Sequence, residues 1–329
     1  MRIGILSFAH IHADSYMSSL KGLSEDHDIF LFDNDPARRE AVSRKYGEKV
    51  LPDYHELAPL RLDAAIATGT NREHCDMVLT CAREGVPVLC EKPIALSLSE
   101  ARAMIEACEK THTYFQMAYP CRFLPAVTRV KEIIEGGQLG EIACLNCSNH
   151  GFNPGGWFAD PIEAGGGAVM DHTVHVVDLL RWLLKCEITS VYAEMDNTIH
   201  HGEVEDCGIL SLDLSNGAFA SLDPSWSRPA SSFPTWGDVT MEIVCAKGVL
   251  FVDAFAQNIH SFDAAGPSSR WLHWGANMDE AMISDFLERV NKGLPPQITG
   301  EDGLRALEVV MAAYRSRETG QLVSLPLTE

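Results

Sequence analysis

Short apolar runs alternate with amphipathic stretches through the first 120 residues, and this rhythm limits the fold of the 329-residue chain more than any other feature. Runs at 2–8, 28–32, 64–67 and 86–90 read as strands, while 12–23, 36–46, 72–84 and 99–111 carry the apolar spacing of helices. Strands separated by helices of that length are joined by right-handed crossovers, which build a parallel sheet. After about residue 120 the rhythm changes. A helix at 126–135 ends at Gly136-Gly137, and alternating segments follow at 188–195, 207–214, 218–222, 239–245 and 248–252. Turns such as Ser215-Asn216-Gly217 and Lys247-Gly248 mark these as antiparallel hairpins, and helices at 278–292 and 301–317 close the chain. The expectation is an α/β protein of two tightly joined domains, 1–120 and 121–329.

Charge narrows the partners. A formal net charge of −20 argues against nucleic acid and against an anionic membrane surface, both polyanions. No apolar run approaches the roughly 18 residues of a membrane span, and the opening Met-Arg-Ile-Gly-Ile-Leu run is too short for a signal peptide. A cytoplasmic location is expected. The ten cysteines sit singly in apolar segments, as buried thiols do; the CxxC of Cys144 and Cys147 lies in a strand with no second pair nearby, a poor zinc or redox motif.

Ligands of a parallel sheet bind beyond the carboxyl ends of its strands, so the residues there matter most. A dinucleotide-binding Gly-x-Gly-x-x-Gly turn would fall at positions 7, 9 and 12, where this chain has Ser7, Ala9 and His12. Asp33, about 20 residues past the turn, stands where a carboxylate accepts from the adenosine ribose hydroxyls and repels a 2′-phosphate, which favours NAD over NADP. Asp35-Pro36 reads as the cap of the next helix. His10-Ile11-His12 is open to two readings. It is a pair of imidazoles lining the cofactor crevice, or it is the two-histidine start of a metal-dependent hydrolase barrel. Such a barrel would keep its strand–helix alternation to the end, whereas this chain turns antiparallel. The strand at 86–90 ends in Glu91-Lys92-Pro93, so Lys92 points into the ligand crevice, where it can donate to a substrate hydroxyl or take part in proton transfer.

In the second domain, Ala164-Gly165-Gly166-Gly167-Ala168-Val169-Met170-Asp171 leads into a helix carrying His172, His175 and Asp178. Asp171 and His175 are four apart and share a helix face, where a carboxylate can orient an imidazole and raise its proton affinity. Asp171 is equally placed to cap the helix, and His172 and Asp178 compete for any role assigned to their neighbours.

Taken together these pieces resemble the Gfo/Idh/MocA oxidoreductase family, and the likeness is collinear over nearly the whole chain. Thr70-Asn71-Arg72-Glu73-His74 is similar to its Pro-Asn-x-x-His turn, and Glu91-Lys92-Pro93 matches its strand end. Arg122-Phe123-Leu124-Pro125, Gly137-Gln138-Leu139-Gly140, Trp157 with the Ala164–Asp178 motif, and Gly300-Glu301-Asp302-Gly303 follow in the family's order. The resemblance implies a Rossmann-type parallel-sheet domain and an α+β domain on a large open, mostly antiparallel sheet. It implies a catalytic set of Lys92, Asp171 and His175. It places Ser7, Ala9, His10, His12, Asp33, Thr68, Asn71, His74 and Glu91 along an NAD cofactor, and Tyr119, Arg122, Trp157 and His172 along the substrate. The expected activity is NAD-dependent hydride transfer at a hydroxyl or carbonyl carbon of a sugar, cyclitol or related polyol, with no bound metal. A non-catalytic dinucleotide- or sugar-binding regulator of the same fold is the rival. An open sheet face needs cover, so a homodimer or homotetramer through it is expected.

Overall fold

The structure is a computed structural model, and it describes residues 1–24, 26–262, 269–273 and 275–327. Its first elements are β1 (Arg2–Ile5), α1 (His12–Gly22), β2 (Asp28–Phe32), α2 (Pro36–Tyr46), β3 (Val50–Leu51), β4 (Ala64–Ala67), α3 (His74–Glu84), β5 (Val88–Cys90), α4 (Leu98–Thr111) and β6 (Phe115–Met117). They form a six-stranded sheet in the order β3-β2-β1-β4-β5-β6 with every pair parallel. The order reverses beside β1, which opens a ligand crevice at the carboxyl ends of β1 and β4. β4 reads Ala-Ala-Ile-Ala and is buried throughout, as a strand covered on both faces must be. The expected first strand stops early, at Ile5, because residues 7–10 leave the sheet to bond with Asp33 and Thr68. Asp35 caps α2 by accepting from the Arg38 amide at 2.7 Å, with Pro36 at its first position and Gly47 left-handed at its end.

The later elements are α5 (Pro125–Glu135), β7 (Ile142–Gly151), α6 (Pro161–Ala164), α7 (Ala168–Leu184), β8 (Ile188–Asp196), β9 (Cys207–Leu214), β10 (Phe219–Asp223), β11 (Gly237–Cys245), β12 (Gly248–Asp253), β13 (Asn258–Phe262), β14 (Ser269–His273), α8 (Met278–Lys292), α9 (Gly300–Thr319) and β15 (Val323–Ser324). Seven of these strands form a mixed sheet, β12-β11-β7-β10-β9-β8-β15, antiparallel except where β10 runs beside β7. One face carries Leu145, Cys147, Leu210, Leu212, Leu222, Met241 and Ile243, all buried, and α7 packs against β7, β8 and β9. Most of the alternate residues of the same strands are exposed or half-exposed, as the period of two requires, with Ser148 and Asp238 buried. Cys144 and Cys147, three apart on β7, therefore point to opposite faces and cannot share a ligand.

The chain divides into two compact units, Met1–Pro120 with Met278–Leu304 and Cys121–Asn277 with Arg305–Glu329. α8 belongs with the first because its apolar stripe of Met282, Ile283, Phe286 and Leu287 is buried and the helix packs on α1. Among the described residues no helix is long and apolar enough to cross a membrane.

Candidate active site

In the first unit the turn from β1 to α1 is built without glycine, and none of residues 7–12 needs a left-handed backbone. Four of its amides are spent inside the protein. Phe8 N–H donates to Asp33 Oδ2 (2.8 Å), Ala9 N–H to Ser7 Oγ (3.1 Å), His10 N–H to the Thr68 carbonyl (3.0 Å) and His12 N–H to His10 Nδ1 (3.2 Å). Thr68 Oγ1 in turn donates to the Ser7 carbonyl at 2.6 Å. Asp33 is fully buried at the end of β2, and the Arg38 Nε reaches both its oxygens at 3.0 and 3.1 Å. The neighbouring β4 turn keeps its glycine for space, since a Cβ on Gly69 would lie 2.7 Å from Met77 and 2.8 Å from Glu73.

Three sequence-predicted residues meet at the end of β5. Glu91 is fully buried, and its carboxylate accepts from His12 Nδ1 (3.0 Å), the Tyr16 hydroxyl and the Lys92 amide (3.1 Å). Burial alone would push the Glu91 carboxyl up, but His10, His12 and Lys92 around it hold it well below the usual carboxylate range. Burial pulls the imidazole of His12 down, but Glu91, by charge and hydrogen bond, and then Asp279 outweigh it and leave His12 raised. Buried His10 is lowered instead, by burial first and then by His12 and Lys92 against the pull of Glu91. Lys92 is almost wholly buried, and His74 lies beneath its turn with Nδ1 donating to the Pro93 carbonyl at 2.8 Å. Asn71, buried, opens the short turn before α3, capped by Thr70 and Glu73. Tyr119 follows β6 and is also buried.

Nitrogens and oxygens of His10, His12 and Glu91 lie within 4.8 Å of one another, a spacing a metal ion could use. The hydrogen bonds oppose it. His10 Nδ1 accepts the His12 amide, so a neutral ring carries its proton on Nε2, the nitrogen that faces Glu91 at 3.9 Å. Binding a metal through that nitrogen would cost the ring its remaining proton, and the open mixed sheet that follows is not the barrel the hydrolase reading requires.

In the second unit each glycine before α7 has its own reason. Gly165 is left-handed (φ 76°) where α6 ends, a Cβ on Gly166 would lie 1.8 Å from the Tyr314 hydroxyl, and one on Gly167 would lie 1.9 Å from the Glu205 carbonyl oxygen. Glu205 then caps α7: its Oε1 accepts from Gly167 N–H (2.8 Å), Val169 N–H (3.0 Å) and the Tyr314 hydroxyl (2.9 Å). Fourteen of the seventeen residues of α7 are buried, so its polar side chains need partners. Asp178 takes a two-pronged bond from Arg122, at 2.8 and 2.5 Å, which commits that guanidinium to the helix. Asp171 Oδ2 accepts from Trp226 Nε1 at 3.1 Å and meets His172 Nε2 at 3.3 Å, while His172 Nδ1 donates to the Pro224 carbonyl. His175 stands one turn beyond Asp171 on the same face, buried. Trp157, half-buried, stacks on Phe158 with centroids 3.9 Å apart and packs on the cluster that contains Trp226 and Ala168.

Tyr16, Glu205, Trp226 and Tyr314 escaped the sequence reading. Only Trp226 left a signal, an aromatic just past a strand end in Asp223-Pro224-Ser225-Trp226.

Residues 2–119 match the model of an oxidoreductase family with an NAD-binding Rossmann fold, and 127–251 match the Gfo/Idh/MocA C-terminal domain. The chain is 27% identical to myo-inositol 2-dehydrogenase of Thermotoga maritima, over 99% of this chain and 98% of that one. It is 28% identical to an NADP(+) D-xylose 1-dehydrogenase of Haloferax volcanii, over 99% and 100%. Its fold is shared with GenD2 from gentamicin A biosynthesis, solved with NAD, at a TM-score of 0.88 and 22% identity over 99% and 97% of the two chains.

Proposed function

The chain belongs to the Gfo/Idh/MocA family of oxidoreductases with an NAD-binding Rossmann domain, and on that footing we propose that it oxidises a hydroxyl of a cyclitol, sugar or related polyol, or reduces the matching carbonyl. The observation that carries the reading is the polar face of α7. A helix buried on nearly every side keeps Asp171, His172 and His175 besides the Asp178 already spent on Arg122, and such groups are retained at a cost that chemistry explains better than packing. His175 takes the hydroxyl proton in the oxidation direction. Asp171 balances the charge that develops on the imidazole, itself held by Trp226 and His172. Lys92 donates to the reacting oxygen and steadies its negative charge. The nicotinamide, when bound, supplies the hydride acceptor.

Residues of the first unit fit a dinucleotide. Asp33 follows β2 and pairs with Arg38 in the first turn of α2, where the adenosine ribose would be held, with Ser7, Ala9, Thr68 and Asn71 along the neighbouring turns. NAD is our choice of nucleotide because the Asp33 carboxylate favours free ribose hydroxyls. Arg38, 3.0 Å from that carboxylate, offsets its repulsion, so a 2′-phosphate is tolerated rather than excluded. His74 and Glu91 hold the Lys92 turn from beneath. Trp157 offers an apolar ring face to the substrate, with Tyr119 and His172 as polar contacts. Arg122 acts through Asp178 as a positioning residue. The free thiols suit a cytoplasmic setting, and the exposed face of the second sheet supports association with a second copy.

Steady-state turnover of Lys92→Ala and His175→Ala, on a panel of cyclitols and sugars, tests the assignment. Each variant is expected to lose about 100-fold or more in kcat while still binding NADH. Folded variants with full turnover sink it.

A further inference from the structure

A dinucleotide carries a doubly charged pyrophosphate, and Rossmann turns hold it with the backbone N–H groups of a glycine-rich loop at a helix start. Here four amides of the turn are withdrawn from that device. The amides of Phe8, Ala9, His10 and His12 all donate within the protein, and beside them lies Glu91, a buried carboxylate of the same sign as the ligand. His12 stands at the first position of α1, bonded to Glu91 on its inner side and with 29% of its side chain open to solvent. We propose that the cofactor binds with His12 protonated, its imidazolium being the charge that lets a glycine-free turn beside a buried carboxylate accept a pyrophosphate. The inference rests on the nicotinamide-dependent reading above.

The sign of the effect does not depend on where the phosphates sit in detail. Glu91 and Lys92 at the end of β5, Asp279 on α8, His10 in the turn and Tyr16 on α1 all face the imidazole. Whatever charge that set carries, loss of the His12 proton makes it one unit more negative, and an anion is then bound less well. Against the pull of burial, the charge and hydrogen bond of Glu91 raise the proton affinity of His12 above that of a free imidazole, so the ring gives up its proton only at a higher pH. Linkage then requires the reverse effect: binding the anion draws a proton onto His12 wherever the ring is partly deprotonated.

NADH binding to the full-length protein, followed by fluorescence from about pH 6 to about pH 9, reads this directly. The wild-type Kd is expected to rise by roughly tenfold across the range, the size of one proton linked to one anion. Calorimetry in buffers of different ionisation enthalpy should show proton uptake on binding over the pH interval in which the affinity falls. His12→Gln should bind weakly at every pH without the slope, and His12→Lys should recover affinity, also without the slope. A wild-type Kd that is flat with pH and no proton uptake would overturn the inference, as would a His12→Gln variant that keeps the wild-type slope. The wild-type measurements stand even if a variant fails to fold. If the folded protein binds neither NADH nor NADPH at any pH, the nicotinamide reading itself falls, a result distinct from tight binding without pH dependence.

Discussion

At the scale of single residues, burial decides which charges are structural. Asp178 is 1% exposed and receives both prongs of Arg122, itself 4% exposed, so each ion is the other's replacement for water. Removing one partner of such a pair costs far more than the pair contributes, because an uncompensated charge remains. Arg122→Ala is expected to lose about 3–5 kcal/mol of unfolding free energy in urea. A loss below about 1 kcal/mol would return Arg122 to the list of substrate contacts. Lys92, Asp171 and His175 were singled out in the sequence as candidates because their signals are local: a strand end, a glycine turn, a four-residue helical spacing. The groups that hold Asp171 and its helix were not, since Trp226 is 55 residues from Asp171 and Tyr314 is 109 from Glu205. No spacing rule reaches that far along a chain; only the folded sheet brings them together.

At the scale of elements, α7 is placed by its first turn. Glu205 satisfies two of the orphan amides at that end, and its main-chain oxygen takes the Ala168 amide at 2.9 Å. Gly167 leaves room for that contact, so a methyl group there must push the Glu205 backbone aside or tilt the helix. Gly167→Ala should therefore cost about 2 kcal/mol or more, whereas Gly202→Ala, where an added Cβ meets nothing within 4 Å, should stay within about 1 kcal/mol. Equal thermal shifts for the two variants would remove the steric account of the triple glycine. The first domain shows the converse. Its strand–helix rhythm foretold the parallel sheet, yet the absent glycines at 7, 9 and 12 said little about the turn, because Ser7 and Ala9 adopt ordinary backbone there and spend their hydrogen bonds inward.

At the scale of the whole molecule, the exposed face of the mixed sheet is a row of paired residues: Phe251 beside Glu242, then Asn146, Ser221, Ser211 and Tyr192. Phe251 is 80% exposed, Phe219 59% and Ile209 51%, while Val249 adds to the same face. An apolar stripe of this kind, interleaved with hydroxyl and amide groups, suits a surface that meets its own copy. Charge works against that meeting, since each chain brings a formal −20. Screening within about 8 Å at physiological salt weakens the long-range repulsion but leaves the apolar contact intact. Self-association through this face should therefore tighten with added salt, whereas assembly held by ion pairs would loosen. Sedimentation at low and high salt separates the two. Phe251→Asp combined with Phe219→Asp, which places like charges where the aromatic rings would pack, should yield monomers at micromolar concentration with secondary structure unchanged. A double variant that sediments as the parent does would move the interface to another surface.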